Sequence, residues 1–230
     1  MNSYETYIFD LDGTLLDTLG DLTASVNYAM QAFDLPPHGI DAVRTMVGNG
    51  VRRLMERAVP GGADNPVFNE AFDTFRQHYL EHYLDTTHPY EGIPKLLKNL
   101  KDRGCHTAVV SNKFDAATKA LCNHFFSGLI DVAVGEHEAE GIRKKPAPDT
   151  VREALSQLGV GTDGAVYIGD SEVDIATARN SGLPCISVLW GFRSREFLEA
   201  HGATTFVSAP KDVLLVGNID GLHDGSRRTC

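Results

Sequence analysis

The chain has 230 residues, 21 Lys and Arg against 31 Asp and Glu, a formal net charge of −10, and 42% hydrophobic residues. That composition belongs to a globular protein, one able to bury about 70% of the surface its unfolded form exposes, and it excludes a fibrous or disordered chain. The negative charge opposes nonspecific binding to nucleic acid or to an anionic membrane, whereas an anionic small molecule stays open as a ligand, because one local cation inverts the field at a site.

The amino-terminal run MNSYETYIFDLDG has neither a basic nor a long apolar stretch, so no secretory signal is expected. The apolar runs fall far short of the roughly 20 residues that span a bilayer. Cys105, Cys122, Cys185 and Cys230 lie far apart with no CxxC pair, which suits reduced thiols in a cytoplasmic protein.

A first apolar strand over 7–9 runs into Asp10. Residues 17–90 then contain no convincing strand and read as helices over 20–33, 40–46, 51–59 and 65–84, separated by turn clusters. About seventy residues is too long for a loop. The segment therefore reads as a helical insert over a sheet, with hinges near 17–20 and 86–92. After it, strands over 107–110, 130–134, 165–168, 185–189 and 205–207 alternate with helices over 93–103, 116–125, 150–158, 174–180 and 194–201. Continuous apolar strands alternating with helices predict βαβ crossovers in a doubly wound parallel α/β sheet. The tail 217–230, polar and Gly-rich, is expected to fray.

Four motifs stand where such strands end. Asp10-Leu11-Asp12-Gly13-Thr14 follows the first strand, and two carboxylates so close are costly unless a cation or a proton shares them. Gly169-Asp170-Ser171-Glu172-Val173-Asp174 repeats the pattern after the strand over 165–168, with Asp174 one helical turn beyond Asp170. Asp10, Asp12 and Asp170 would give a hard cation such as Mg²⁺ a half-shell of oxygens and leave room for phosphate. Ser111-Asn112 offers a hydroxyl, an amide and backbone N–H groups to an anion, and Lys145 lies in a basic loop made extended by Pro146. All four motifs fall at the carboxyl edge of the predicted sheet, where open α/β sheets bind ligands. His78 and His82 have i,i+4 spacing, but with no third ligand nearby they read as a polar helix face.

Together these motifs resemble the haloacid dehalogenase-like hydrolases, over residues 5–208. The helical insert resembles the C1 cap of that family's first subclass. Val47-Gly48-Asn49-Gly50, Ser111-Asn112-Lys113 and Gly169-Asp170-Ser171 followed by Asp174 look most like its phosphoglycolate phosphatase group. The resemblance implies a Rossmann-like core domain, residues 1–16 and 91–230, with sheet order 3-2-1-4-5-6, and an all-helical cap domain over 17–90. It implies Asp10 as nucleophile, Asp12 as acid and base, Ser111, Asn112 and Lys145 as phosphate holders, and Mg²⁺ on Asp10, Asp12 and Asp170, with Asp174 behind them. Asn49 and the backbone N–H groups of the Gly48–Gly50 turn, beside Arg52 and Arg53, are the expected donors in the insert to the far end of an acidic substrate. The expected activity is Mg²⁺-dependent hydrolysis of a small anionic phosphorylated metabolite, 2-phosphoglycolate first, by a cytoplasmic monomer or homodimer. A pyrophosphatase or β-phosphoglucomutase-like enzyme of the same fold, or a non-catalytic phospho-ligand binder, is the alternative.

Overall fold

In the computed structural model, which describes residues 4–216, the chain opens with strand β1 (Thr6–Phe9) and a two-residue strand β2 (Leu16–Asp17). Four helices follow: α1 (Leu19–Ala32), α2 (Ile40–Met46), α3 (Val51–Ala58) and α4 (Phe68–His82). A second two-residue strand, β3 (His88–Pro89), leads back. The alternation then runs α5 (Ile93–Asp102), β4 (His106–Phe114), α6 (Asp115–Phe126), β5 (Val132–Glu136), α7 (Asp149–Leu158), β6 (Ala165–Gly169), α8 (Glu172–Ser181), β7 (Cys185–Val188), α9 (Arg195–Ala200) and β8 (Phe206–Val207). The tail 217–230, expected to fray, lies outside the described residues.

Six of these strands form one sheet in the order β5-β4-β1-β6-β7-β8, all pairs parallel, which is 3-2-1-4-5-6 when only those strands are counted. Side chains alternate faces along a strand, and β1 shows why it must be apolar throughout. Tyr7 and Phe9 enter a core with Leu96, Leu97 and Leu100 of α5 and Leu121 of α6. Ile8 enters the opposite core with Val151 and Leu155 of α7 and Ala178 of α8. The helices between α1 and α4 close on a core of their own, including Leu22, Val26, Met30, Leu54, Phe68, Phe75 and Tyr79. Among the described residues no helix is long and apolar enough to cross a membrane.

Three expectations need correcting. Residues 17–90 were expected to hold no strand, yet β2 and β3 pair antiparallel, Leu16 with Pro89 and Asp17 with His88. A two-residue ladder carries no alternation to detect, and Pro89 argues against a strand locally. Strand β4 does not end at Val110 but runs on through Ser111, Asn112 and Lys113 to Phe114. Those polar residues are buried because the functional site takes up their side chains. Helix α8 starts at Glu172, earlier than expected, because Ser171 and Asp174 form a capping box.

The two crossings between sheet and helices are tied by one carboxylate. Asp21, 2% exposed, accepts hydrogen bonds from the Thr86 N–H (2.8 Å), the Thr86 hydroxyl (2.5 Å) and the Thr87 N–H (3.0 Å). A Cβ on Gly20 would sit 2.3 Å from the Thr86 Oγ1, so the crossings touch at a glycine. Asp21→Ala should therefore strand two backbone donors and lower unfolding free energy by about 1–3 kcal/mol, read by denaturant titration. An unchanged midpoint would mean that the tie adds nothing to stability.

Candidate active site

Strand β1 delivers Asp10 to the carboxyl edge of the sheet, where its N–H bonds the Ile168 carbonyl of β6 at 2.8 Å. The chain then winds tightly: the N–H groups of Leu15 and Leu16 both reach the Leu11 carbonyl at 3.0 Å. Gly13 makes that turn possible. Its φ is +86°, and a Cβ there would lie 2.4 Å from the Asp170 Oδ2. Gly191 is confined in the same way, since a Cβ would fall 2.3 Å from the Asp170 Cβ. Two glycines thus let two loops close around Asp170, which also accepts from the Thr14 hydroxyl (3.3 Å) and the Phe192 N–H (2.7 Å).

Oxygens of Asp10, Asp170 and Asp174 lie within 4.8 Å of one another. One ammonium serves this cluster: Lys145 Nζ is 2.8 Å from Asp10 Oδ1 and 2.8 Å from Asp174 Oδ1, and it donates to the Tyr167 hydroxyl at 3.1 Å. Asp174 Oδ2 is held by the Ser171 hydroxyl (2.6 Å) and N–H (3.1 Å). Burial and the charge of Asp174 push Asp10 well above the usual carboxylate range, against the pull of Lys145. Burial and Asp174 push Asp170 up to about 7. Burial opposes the charge on Lys145, but Asp10 and Asp174 outweigh it and hold the ammonium well above its ordinary value. Three carboxylates with one ammonium carry excess negative charge, and the oxygen set suits a hard divalent cation.

Asp12 faces a different cation. Lys113 Nζ lies 2.7 Å from Asp12 Oδ1 and 3.0 Å from Oδ2, and 4.9 Å from the centroid of the Tyr79 ring of α4. Lys113 is wholly buried; burial opposes its charge, but Asp12 outweighs burial and raises its pKa. The Asp12 carboxylate pairs with Lys113, and Asp174, expected behind the ligands, stands beside Asp10 and Asp170 in the carboxylate cluster.

One pocket joins these groups. Asp10, Asp12, Ser111, Asn112, Lys113, Lys145 and Asp170 line its sheet side, and Leu22, Val47, Gly48, Gly50, Val51 and Leu54 its helical side. Asn112 Nδ2 donates to the Lys145 carbonyl (3.1 Å), and the Ser111 Oγ accepts from the Lys113 N–H (3.2 Å). The two helical donors expected from the sequence do not line the pocket. Asn49 Oδ1 accepts from Arg57 (2.7 Å), and Arg52 lies over the rings of Phe68 and Phe72 beside Glu56. Both meet partners within the helical segment, Arg57 of α3 for Asn49 and Glu56 of α3 with Phe68 and Phe72 of α4 for Arg52, which residue type and spacing do not reveal. Lys113, Phe192 and Arg193 had no assigned role in the sequence, although Lys113 lies in the last residues of β4 and the other two in the loop after β7, both at this edge.

A parallel sheet of this order, with an acid-lined pocket at its carboxyl edge and helices over it, defines an α/β enzyme of the doubly wound kind. The family model for haloacid dehalogenase-like hydrolases matches residues 7–188, and the chain belongs to that family. The chain is 35% identical over 187 residues to phosphoglycolate phosphatase of Aquifex aeolicus, covering 80% of this chain and 84% of that one. It is 32% identical over 209 residues to N-acetylmuramic acid 6-phosphate phosphatase of Pseudomonas aeruginosa, covering 90% and 92%. A crystal structure from Lactobacillus delbrueckii subsp. bulgaricus, described as a candidate phosphoglycolate phosphatase, superposes with a TM-score of 0.88 at 38% identity, covering 92% and 97%.

Removing the shared ammonium leaves the buried carboxylates uncompensated. In cation-free buffer Lys145→Met should cost about 3–5 kcal/mol of stability. Adding Asp174→Asn should recover a sizeable part, because the two sites are in contact. Denaturant titration of the single and double variants checks this; strict additivity would show that the charges are not coupled.

Proposed function

We propose that this chain is a Mg²⁺-dependent phosphatase of a small phosphorylated metabolite, with 2-phosphoglycolate the leading substrate, acting in the cytoplasm through an aspartyl-phosphate on Asp10. The observation that carries this reading is the presence in one pocket of two carboxylates that meet different buried ammoniums: Lys145, shared with Asp174, on Asp10 and Lys113 on Asp12. The similarity to phosphatases over most of the chain supports it. The helical segment 17–90 serves as a cap domain, with 1–16 and 91–230 as the core domain.

Asp10 Oδ1 is engaged by Lys145 and by the Leu11 N–H at 2.7 Å, whereas Oδ2 has no partner among the described residues. A carboxylate oxygen of Asp10 bonds to phosphorus as the ester P–O bond breaks, and Asp12 in its acid form gives a proton to the departing oxygen. Asp12 then takes a proton from the water that attacks phosphorus. The bond from Asp10 to phosphorus breaks, and phosphate leaves. Ser111, Asn112 and Lys145 hold the phosphoryl oxygens. Asp10 and Asp170, with Asp174 beside them, would hold Mg²⁺, which supplies the positive charge that lets an anionic ester approach an anionic nucleophile.

The far end of the substrate meets the cap at the Gly48–Gly50 turn and the start of α3. Unpaired N–H groups at a helix start favour a carboxylate without any side-chain cation. Gly50 has a φ of +85°, and a Cβ there would sit 3.3 Å from the Asn112 carbonyl, so the turn lies close over the sheet edge. That closeness favours a small acid over a bulky one.

Three outcomes test the reading. Asp10→Asn should lower kcat by about three decades or more with the fold intact. Stripping with EDTA should abolish turnover, and Mg²⁺ should restore it. Gly50→Ala should raise KM for 2-phosphoglycolate much more than for an aryl phosphate without a carboxylate, while Arg52→Ala should change neither. A screen of phosphate monoesters, pyrophosphate and sugar bisphosphates gives the comparison. Hydrolysis of pyrophosphate alone, or full activity after metal stripping, would overturn the proposal.

A further inference from the structure

The loop after β7 touches both halves of the site. The Trp190 Nε1 donates to the Thr14 carbonyl at 2.9 Å, and the Phe192 N–H donates to Asp170 at 2.7 Å. The next residue, Arg193, leaves the core and reaches the cap. Its Nη1 donates to the Arg44 carbonyl at 2.9 Å and its Nη2 to the Val47 carbonyl at 2.6 Å, while Nε lies 3.3 Å from Glu172. These carbonyls belong to the carboxyl end of α2, where the last C=O groups have no helical partner and the helix dipole is negative. The guanidinium side chain is only 9% exposed and lines the pocket. Beyond Val47 come Gly48 and Gly50, which form the cap side of that pocket.

We propose that Arg193 is a positioning residue that clasps the 44–50 segment of the cap over Asp10 and so fixes the closed pocket from the same loop that seats Asp170. Phe192 also packs against the helical core, so the loop carries an apolar contact beside the polar one. A planar guanidinium reaches two carbonyls at once, which an ammonium does not. Two charge-assisted bonds in a nearly dry setting are enough to bias a closing motion, because each is stronger than an ordinary exposed pair. Arg193 touches no reacting atom in this account. It acts by keeping the glycine turn in place while Asp10 and Asp12 do the chemistry.

The kinetic arm of the test rests on the phosphatase reading, and the exchange arm does not. Hydrogen exchange of the backbone amides of 43–54 is measured in wild type, Arg193→Lys and Arg193→Ala, together with Tm and with kcat and KM on 2-phosphoglycolate and an aryl phosphate. Exchange in that segment should quicken about tenfold or more in Arg193→Ala, which loses both carbonyl bonds, and less in Arg193→Lys. Because the turn is displaced as a whole, kcat/KM should fall by a similar factor on both substrates, whereas Gly50→Ala discriminates between them. Tm should change little, since the apolar core of the helices is untouched. Unchanged exchange would overturn the clasp, and so would quicker exchange with undiminished kcat/KM. If wild type hydrolyses no phosphate ester, the phosphatase reading falls and exchange alone decides the clasp. If Arg193→Ala does not fold, Arg193→Lys and Arg193→Gln carry the same comparison.

Discussion

Asp10, Asp170 and Asp174 are buried together around one ammonium, and much of the molecule is arranged to permit this. A buried charge costs several kcal/mol unless it is paired and hydrogen-bonded. The partners come from distant parts of the chain: Lys145 from the loop before α7, Ser171 from the start of α8, and Phe192 from the loop after β7. Only a parallel sheet with β1 beside β6 brings those loops to one edge. The glycines at 13 and 191 are needed because the loops approach Asp170 more closely than any Cβ allows. The same crowding of like charge that costs stability is the kind that a nearby cation relieves.

The second pair, Asp12 and Lys113, has a separate setting. Lys113 lies at the end of β4, under the Tyr79 ring of the helical segment, so the carboxylate assigned to proton transfer sits where the two parts of the molecule meet. The 47–50 turn meets the sheet edge at Asn112 and, through Val47, at Arg193. Asp21 ties the two chain crossings at the far end of the same boundary. A site built across such a boundary is sheltered from water while the boundary is closed and reachable when it opens.

The parallel sheet and its carboxyl-edge acids were legible because β1 and β6 are apolar on both faces and end abruptly in Asp10 and Asp170, whereas the strand order followed only from the family resemblance. The Asp-x-Asp-Gly-Thr turn carried its own geometric reason in Gly13. The continuation of β4 through Ser111 to Phe114 was hidden by polarity, since polar residues in a strand look like its end unless a site buries them. The partners of Asn49 and Arg52 were not legible because they depend on neighbours: Arg57 meets the first, and Phe68, Phe72 and Glu56 meet the second. Arg193 was missed because no local pattern marks a side chain whose partners are main-chain carbonyls about 150 residues earlier.

The stereochemical course at phosphorus tests the central claim most directly, because it reads whether Asp10 forms a bond to phosphorus. A phosphate ester made chiral at phosphorus by isotopic labelling is turned over by the wild-type protein, and the configuration of the transferred group is read when an added alcohol replaces water as acceptor. Two successive in-line displacements, the first by Asp10 and the second by the acceptor, give net retention. Inversion would mean a single direct displacement and would remove Asp10 from the nucleophile's place.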